Sequence, residues 1–385
     1  MAKRKSKVKA QRDASPSPLT GQQVKRLKSI ARSVKPPVRV ELTLGRIKLP
    51  PGSKADLVRV RGSRELYQVR VAIRGSELGR RQEYDTIPTE RIDRRSLDGR
   101  DFASIELDGR RPEHLRLDYL PGKVALRPSD VRYPPTYLKL KRGLDRPTNV
   151  FAPDQRYIYR DTSFPWCTVG RVDSPLGTAT GCTIGPRLLL TCNHVIQWNA
   201  NNTAGWVRFR PAYYNGSAPF GEAWATRVIW WTRVNGGNGL TDLETAFDYV
   251  VCVLGNRMGD VVGYPGYRSY SGSWNGGTYW QHMGYPVDLS GTERPAFQGS
   301  CVVSSVGSQS TAGQTGFVLG HFNDIVPGHS GGPAWGWWSG EPWPRVIGVQ
   351  SAEASTPART TTGDNEYGGG PALSSLISWA RSNFA

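Results

Sequence analysis

From about residue 151 onward the chain is written in short apolar bursts. Arg187–Cys192, Trp206–Arg210, Arg227–Trp231, Tyr249–Leu254, Cys301–Ser305 and Val346–Gln350 are rich in β-branched, aromatic or small apolar residues, and clusters of Gly, Pro, Asn and Ser separate them. Runs this short, punctuated by turn formers, predict many strands and an all-β architecture. The tryptophan pairs in this region suit the core and rim of such strands. One segment departs from the rhythm. Within Ala372–Phe384 the apolar residues fall at 373, 376, 377 and 380 with serines between them, a spacing that predicts a C-terminal helix.

The pattern before residue 150 is different. Val38–Leu42 and Leu66–Val71 alternate apolar with charged or polar residues, which predicts a small β-rich domain over residues 38–145. Residues 1–37 are too polar and too charged to bury a core, and predict a disordered basic tail. The basic start is not followed by an apolar run, so no secretory signal is expected, and no 18-residue apolar stretch is present to cross a membrane. An intracellular or leaderless protein is the resulting expectation.

Charge draws the same boundary. Residues 1–150 hold 36 Lys and Arg against 17 Asp and Glu, whereas residues 151–385 hold 14 against 15. Every lysine lies at or before Lys141, and all 13 tryptophans and five cysteines lie at or after Trp166. Segments of such different composition predict separate units, here 1–37, 38–145 and 146–385. The Lys141-Arg142 pair marks the linker 143–149 as a place for cleavage. The basic region suits a polyanion or nucleic-acid partner, or a prosegment or regulatory domain. Its arginines interleave with acids, as in Glu90–Arg95, and it carries no zinc knuckle or RNA-recognition signature.

The candidate chemistry lies in the C-terminal part. Gly328-His329-Ser330-Gly331-Gly332-Pro333 sets a serine among glycines. A hydroxyl attacks a carbonyl only when a base takes its proton and donors meet the oxyanion. Leu188–Thr191 runs into Cys192-Asn193-His194, and Asp248 opens the run Tyr249–Leu254. A nucleophile at Ser330, a base at His194 and an orienting carboxylate at Asp248 follow, with Gly328 and Ser330 N–H groups as the oxyanion hole. The chain order His, Asp, Ser is that of the chymotrypsin class. His329 is a second imidazole beside the nucleophile, but adjacency in sequence points it elsewhere.

Residues 151–385 resemble the bacterial glutamyl endopeptidases, a branch of the chymotrypsin-like serine peptidases. The resemblance rests on Asp154-Gln155-Arg156, the run Thr180–Pro186, Gly263–Tyr267, Gly284-Tyr285-Pro286 and Val346–Val349, besides the three catalytic candidates. It implies a double antiparallel β-barrel with a C-terminal helix docked on the second barrel, and a serine endopeptidase acting through an acyl-enzyme on protein or peptide substrates. It also implies that Ser351 hydrogen-bonds the buried carboxylate. No cofactor or metal is expected, and no Cys-x-x-Cys spacing suggests zinc.

Specificity departs from the resemblance. Where the family places a histidine and a threonine or serine to hold a substrate carboxylate, this chain has Gln350 and Ile325. Asp324 lies six residues before Ser330, where trypsin-like enzymes bind Arg or Lys, yet it also suits a loop brace. Glu353 adds a further negative charge near the expected pocket wall. Two other functions fit the same chain: a peptidase fold that binds peptides without turnover, and a polyanion-binding protein. The cysteine number is odd, so at least one thiol is unpaired within the chain.

Overall fold

In the computed structural model, residues 16–33, 54–59, 67–72, 86–93, 95–97, 106–125, 150–151, 153–236, 240–352 and 365–384 are described. Glu353 and the linker 143–149 lie outside them. Nineteen strands and five α-helices occur among the described residues.

The first barrel is built from β5 (Val169–Ser174), β6 (Gly177–Gly185), β7 (Leu188–Thr191), β9 (Arg208–Pro211), β10 (Ala223–Trp230) and β11 (Val250–Leu254). Their order is β11-β7-β6-β5-β9-β10, and antiparallel pairing of β10 with β11 closes the ring. Closure leaves no unpaired edge between these strands. Val172, Leu189, Phe209, Val228, Val250 and Cys252 fill its interior.

The second sheet follows the order β15 (Val303–Thr311), β16 (Gln314–His321), β19 (Asn365–Gly369), β18 (Arg345–Ala352), β17 (Pro333–Gly336), β13 (Trp280–Gly284), β14 (Ala296–Cys301) and β4 (Tyr157–Ile158). Strands β14 and β15 sit far apart in this order yet are separated in the chain by Val302 alone, so the sheet curls back on itself. The two-residue β12 (Gly266–Tyr267) pairs in parallel with β18. Tyr270, Trp274, Trp280 and Trp338 pack together in its core. The tryptophan pairs thus serve packing, as their strand context predicts. A closed six-stranded barrel and a second, curled antiparallel sheet thus stand where the resemblance implies a double barrel.

Most sequence-predicted strands fall on observed ones within two or three residues. Cys301–Ser305 instead straddles the end of β14 and the start of β15, because at Val302 the chain leaves its pairing with β13 and takes up pairing with β16. Between the barrels, Trp166 is fully buried and packs edge-on against Phe297 and tilted against Trp335. The short helices α2 (Asp242–Ala246), α3 (Met258–Val262) and α4 (Val287–Ser290) lie in connections. Helix α5 (Pro371–Phe384) buries Leu373, Leu376, Ile377 and Ala380, the positions its spacing marks. It docks across both barrels, touching β16 as well as β7, β10 and β11, because its apolar face completes the shared core. The resemblance implies docking on the second barrel, and the first barrel shares the contact.

The N-terminal part also differs from the sequence expectation. Residues 16–33 fall in the segment expected to be disordered, yet they carry helix α1 (Gly21–Ser33). The Thr20 hydroxyl accepts from the Gln23 N–H while the Gln23 side chain accepts from the Thr20 N–H, a reciprocal cap that fixes the helix start. Leu19 and Gly21 N–H groups donate to Trp337 and Thr278 carbonyls, Trp338 Nε1 donates to the Pro16 carbonyl, and Val24 is buried. The second barrel supplies the apolar surface that this polar segment lacks.

Residues 38–145 likewise divide. Strands β1 (Lys54–Arg59) and β2 (Tyr67–Ala72) form a two-stranded sheet of their own. Strand β3 (Thr86–Arg91), however, pairs in parallel with β10 and antiparallel with β8 (Thr203–Gly205), so it extends the sheet of the first barrel. Ile87, Ile92 and Leu97 are buried in the barrel cores. Residues 106–125 then run along the double barrel through single bridges at Tyr267, Tyr264, Phe164 and Tyr159. The charge boundary near residue 145 therefore marks composition and not packing. Among the described residues of this part, Arg91, Arg95, Arg110, Arg111, Arg116 and Lys123 are exposed while sparse apolar residues dock.

Candidate active site

The site forms where the barrels meet, and each element delivers one group to it. His194 follows β7, whose fully buried Leu188–Leu190 anchor the strand in the first barrel. Asp248 precedes β11, which pairs with β7 with Val250 opposite Thr191. That register brings the start of β11 beside the end of β7. Upstream, α2 begins with a capping box in which Thr241 and Glu244 satisfy each other's backbone donors. The helix ends in hydrogen bonds from Phe247 and Asp248 N–H groups to Glu244 and Thr245 carbonyls, so the approach to Asp248 is rigid.

Asp248 is fully buried, and its carboxylate is saturated. Oδ1 accepts the Asn193 N–H at 2.9 Å and the His194 N–H at 2.8 Å. Oδ2 faces His194 Nδ1 at 2.6 Å and accepts the Ser351 hydroxyl at 2.6 Å. Four partners make burial of this charge tolerable. They also hold the His194 ring with Nδ1 on the carboxylate and Nε2 3.7 Å from Cys192 Sγ. The His194 side chain keeps 18% of its surface exposed.

Ser330 arrives from the loop between β16 and β17. Its carbonyl accepts the Thr180 N–H at 2.8 Å, and the Thr180 hydroxyl donates to the Gly328 carbonyl at 2.7 Å. Gly331 N–H donates to the Gln350 carbonyl, and Gln350 N–H to the Gly332 carbonyl. The loop is thereby pinned to β6 of the first barrel and β18 of the second sheet. At Gly331, with φ +81°, an added Cβ would lie 2.1 Å from the Thr180 carbonyl oxygen and 3.0 Å from the Cys192 nitrogen. Only glycine lets the serine loop approach the histidine strand this closely. Gly328, with φ +100°, is equally tight against the Tyr285 carbonyl. Among the described residues, neither the Gly328 nor the Ser330 N–H has an acceptor in the protein.

His329 does not face the cleft. It is buried, stacks on His282 with centroids 5.2 Å apart, and has Nδ1 3.1 Å from the Val326 carbonyl. Burial, with the Arg156 charge assisting, lowers its pKa to about 3, so it is a neutral packing group. His194 behaves oppositely. Burial disfavours its imidazolium, but the Asp248 carboxylate, the neighbouring Cys192 sulfur and the hydrogen bonds to both outweigh that, and its pKa is raised above the ordinary 6.5. A base works only while neutral, so activity should fall as pH drops through this raised value. The acid limb of kcat/KM is expected above pH 6.5; a midpoint at or below the ordinary histidine value would contradict the electrostatics described here.

The residues expected at the specificity pocket, Asp324, Ile325 and Gln350, are all buried. Asp324 is 1% exposed and accepts from the Phe151 N–H at 2.7 Å, the Gln155 N–H at 2.9 Å and Gln298 Nε2 at 3.0 Å. Its carboxylate braces the chain entering the first strand of the peptidase region. Ile325 is buried. Gln350 is buried too, with Nε2 donating to the Ala352 carbonyl at 3.0 Å. Ser351 stands behind the candidate triad through its bond to Asp248. Three contributors escaped the sequence reading. Asn193 ties the base strand to Thr232 and Val234 through its side chain, Thr180 clamps the serine loop, and Cys192 Sγ lies 3.7 Å from His194 Nε2. Only the position of Asn193 and Cys192 just before the histidine hinted at them. All five cysteines are free and buried.

Comparison with known proteins gives 29% identity over 154 residues to a glutamyl endopeptidase of Bacillus licheniformis. The chain resembles the glutamyl endopeptidases. The match takes in 36% of this chain and 46% of that protein, so it spans less than half of the relative. No protein-family model matches. Among solved structures, a Glu endopeptidase in complex with MPD is 18% identical, with 61% of this chain and all of that chain covered and a TM-score of 0.47. The protease Anisep from Arthrobacter nicotinovorans is 19% identical, with 57% and 97% covered and a TM-score of 0.40.

Proposed function

We propose that this protein is a serine endopeptidase in which Ser330 attacks the scissile carbonyl, His194 is general base and then general acid, and Asp248 orients it. The observation that carries this reading is the continuous hydrogen-bonded chain Ser351–Asp248–His194, with the serine loop packed through Gly331 against Thr180 and Cys192. As Ser330 Oγ attacks, its proton passes to His194 Nε2. The imidazolium is held by Asp248 through Nδ1–H, and the unpaired N–H groups of Gly328 and Ser330 receive the oxyanion. Collapse of the tetrahedral intermediate expels the amine with the proton from Nε2. Water then repeats the sequence on the acyl-enzyme.

A fluorophosphonate probe should label Ser330 covalently, with the adduct located by peptide mass spectrometry. Absence of labelling in folded protein would favour the peptide-binding alternative. The primary pocket should accept neutral or apolar side chains before the scissile bond. A substrate carboxylate needs donors that Ile325 lacks, and an unpaired buried charge costs several kcal/mol. A substrate cation would find Asp324 already committed to three donors. A peptide-library profile dominated by Glu, Arg or Lys at that position would refute this pocket assignment.

A further inference from the structure

We infer that Cys192 and His194 form an inhibitory binding site for a thiophilic divalent cation such as Zn²⁺ at the active site. The inhibitory consequence rests on His194 as the base; the binding does not. The ligand atoms of Cys192, His194 and Asp248 all lie within 4.8 Å of one another. The decisive quantity is the 3.7 Å between Cys192 Sγ and His194 Nε2. With Zn–S of about 2.3 Å and Zn–N of about 2.0–2.1 Å, that separation sets an S–Zn–N angle of about 115°. This is close to tetrahedral, so the pair can chelate with little movement.

The surroundings match what such a site requires. Zinc-binding histidines usually carry a carboxylate on the other ring nitrogen, which fixes the tautomer and strengthens the ligand. Asp248 holds that place on Nδ1 at 2.6 Å. Its own oxygens are occupied by four partners, so it acts behind the imidazole and leaves Sγ and Nε2 as the protein ligands. The His194 side chain keeps 18% of its surface exposed, so water can complete the coordination. On binding, the thiol proton is released to solvent, the sulfur lone pair enters the metal bond, and the Nε2 lone pair is taken up. Nothing is oxidised or reduced. The imidazole can then no longer accept the serine proton.

The experiment uses the full-length protein. Co²⁺ added to Ser330→Ala protein should produce a sulfur-to-cobalt charge-transfer band, which Cys192→Ala in the same background should lack. This readout needs no turnover. In the active protein, Zn²⁺ should inhibit reversibly and a chelator restore activity. Partners behind a ligand are alone worth about 10–100-fold in metal affinity. Removing the sulfur in Cys192→Ala should therefore raise the half-inhibiting Zn²⁺ concentration by at least about tenfold, read against that variant's own chelator-treated activity. No charge-transfer band, or equal Zn²⁺ sensitivity with and without the thiol, would overturn the inference. A band in a protein without peptidase activity would leave the site standing and remove the proposed function instead.

Discussion

Replacing Ser330 or His194 by alanine is expected to lower kcat by about 10⁴-fold or more, with KM little changed. The two groups act as one unit, because a hydroxyl without the base and a base without the hydroxyl are equally idle. The double variant should therefore lose little beyond either single one. Burst and steady-state kinetics on a peptide ester or amide would show this. The loop around Ser330 is held by Thr180, Gln350 and Gly332 through backbone groups and the Thr180 hydroxyl, so removing the serine hydroxyl should leave the fold intact. Wild-type-like turnover in Ser330→Ala would exclude the serine as nucleophile. Additive losses would show that His194 acts outside the serine's proton transfer.

Asp248→Asn should be almost as damaging, roughly 10⁴-fold in kcat near neutral pH, by a different route. The carboxylate has four hydrogen-bond partners, two on each oxygen. An amide keeps one accepting oxygen and turns two donors toward the others. If its oxygen stays with the Asn193 and His194 N–H groups, its NH₂ confronts His194 Nδ1. That selects the tautomer with the proton on Nε2, which cannot accept from Ser330. The loss of negative charge also withdraws the larger of the two influences that raise the His194 pKa, the other being Cys192, so the residual activity should show its acid limb at lower pH than the parent. Measuring kcat and the pH profile of the same variant tests both consequences. An unshifted limb would mean that another group sets the histidine pKa.

Much of the site was legible in the chain because its signals are local. A serine bracketed by glycines, a histidine ending an apolar run and an aspartate opening another each announce themselves within a few residues. So does the 3.6-residue spacing that became α5. The specificity residues were less legible. Asp324 reads equally as a cation ligand or a brace, since the three donors that claim it come from Phe151, Gln155 and Gln298, between 26 and 173 residues away.

Hydrophobic rhythm and turn residues thus determined an all-β protein, and local motifs nominated Ser330, His194 and Asp248, because strand periodicity and loop chemistry are properties of neighbouring residues. The tertiary structure decided what depends on residues far apart in sequence. It brought β3 and residues 106–125 onto the barrels despite their opposite composition, since docking requires only a few apolar contacts and ladder hydrogen bonds. The reciprocal cap at Thr20 and Gln23 was within reach of the sequence, but the tryptophan-rich surface that receives α1 is supplied by another part of the chain. The same holds for the sulfur of Cys192. Its proximity to Nε2 follows from the path of β7 into the cleft, and no pattern along the chain measures that distance.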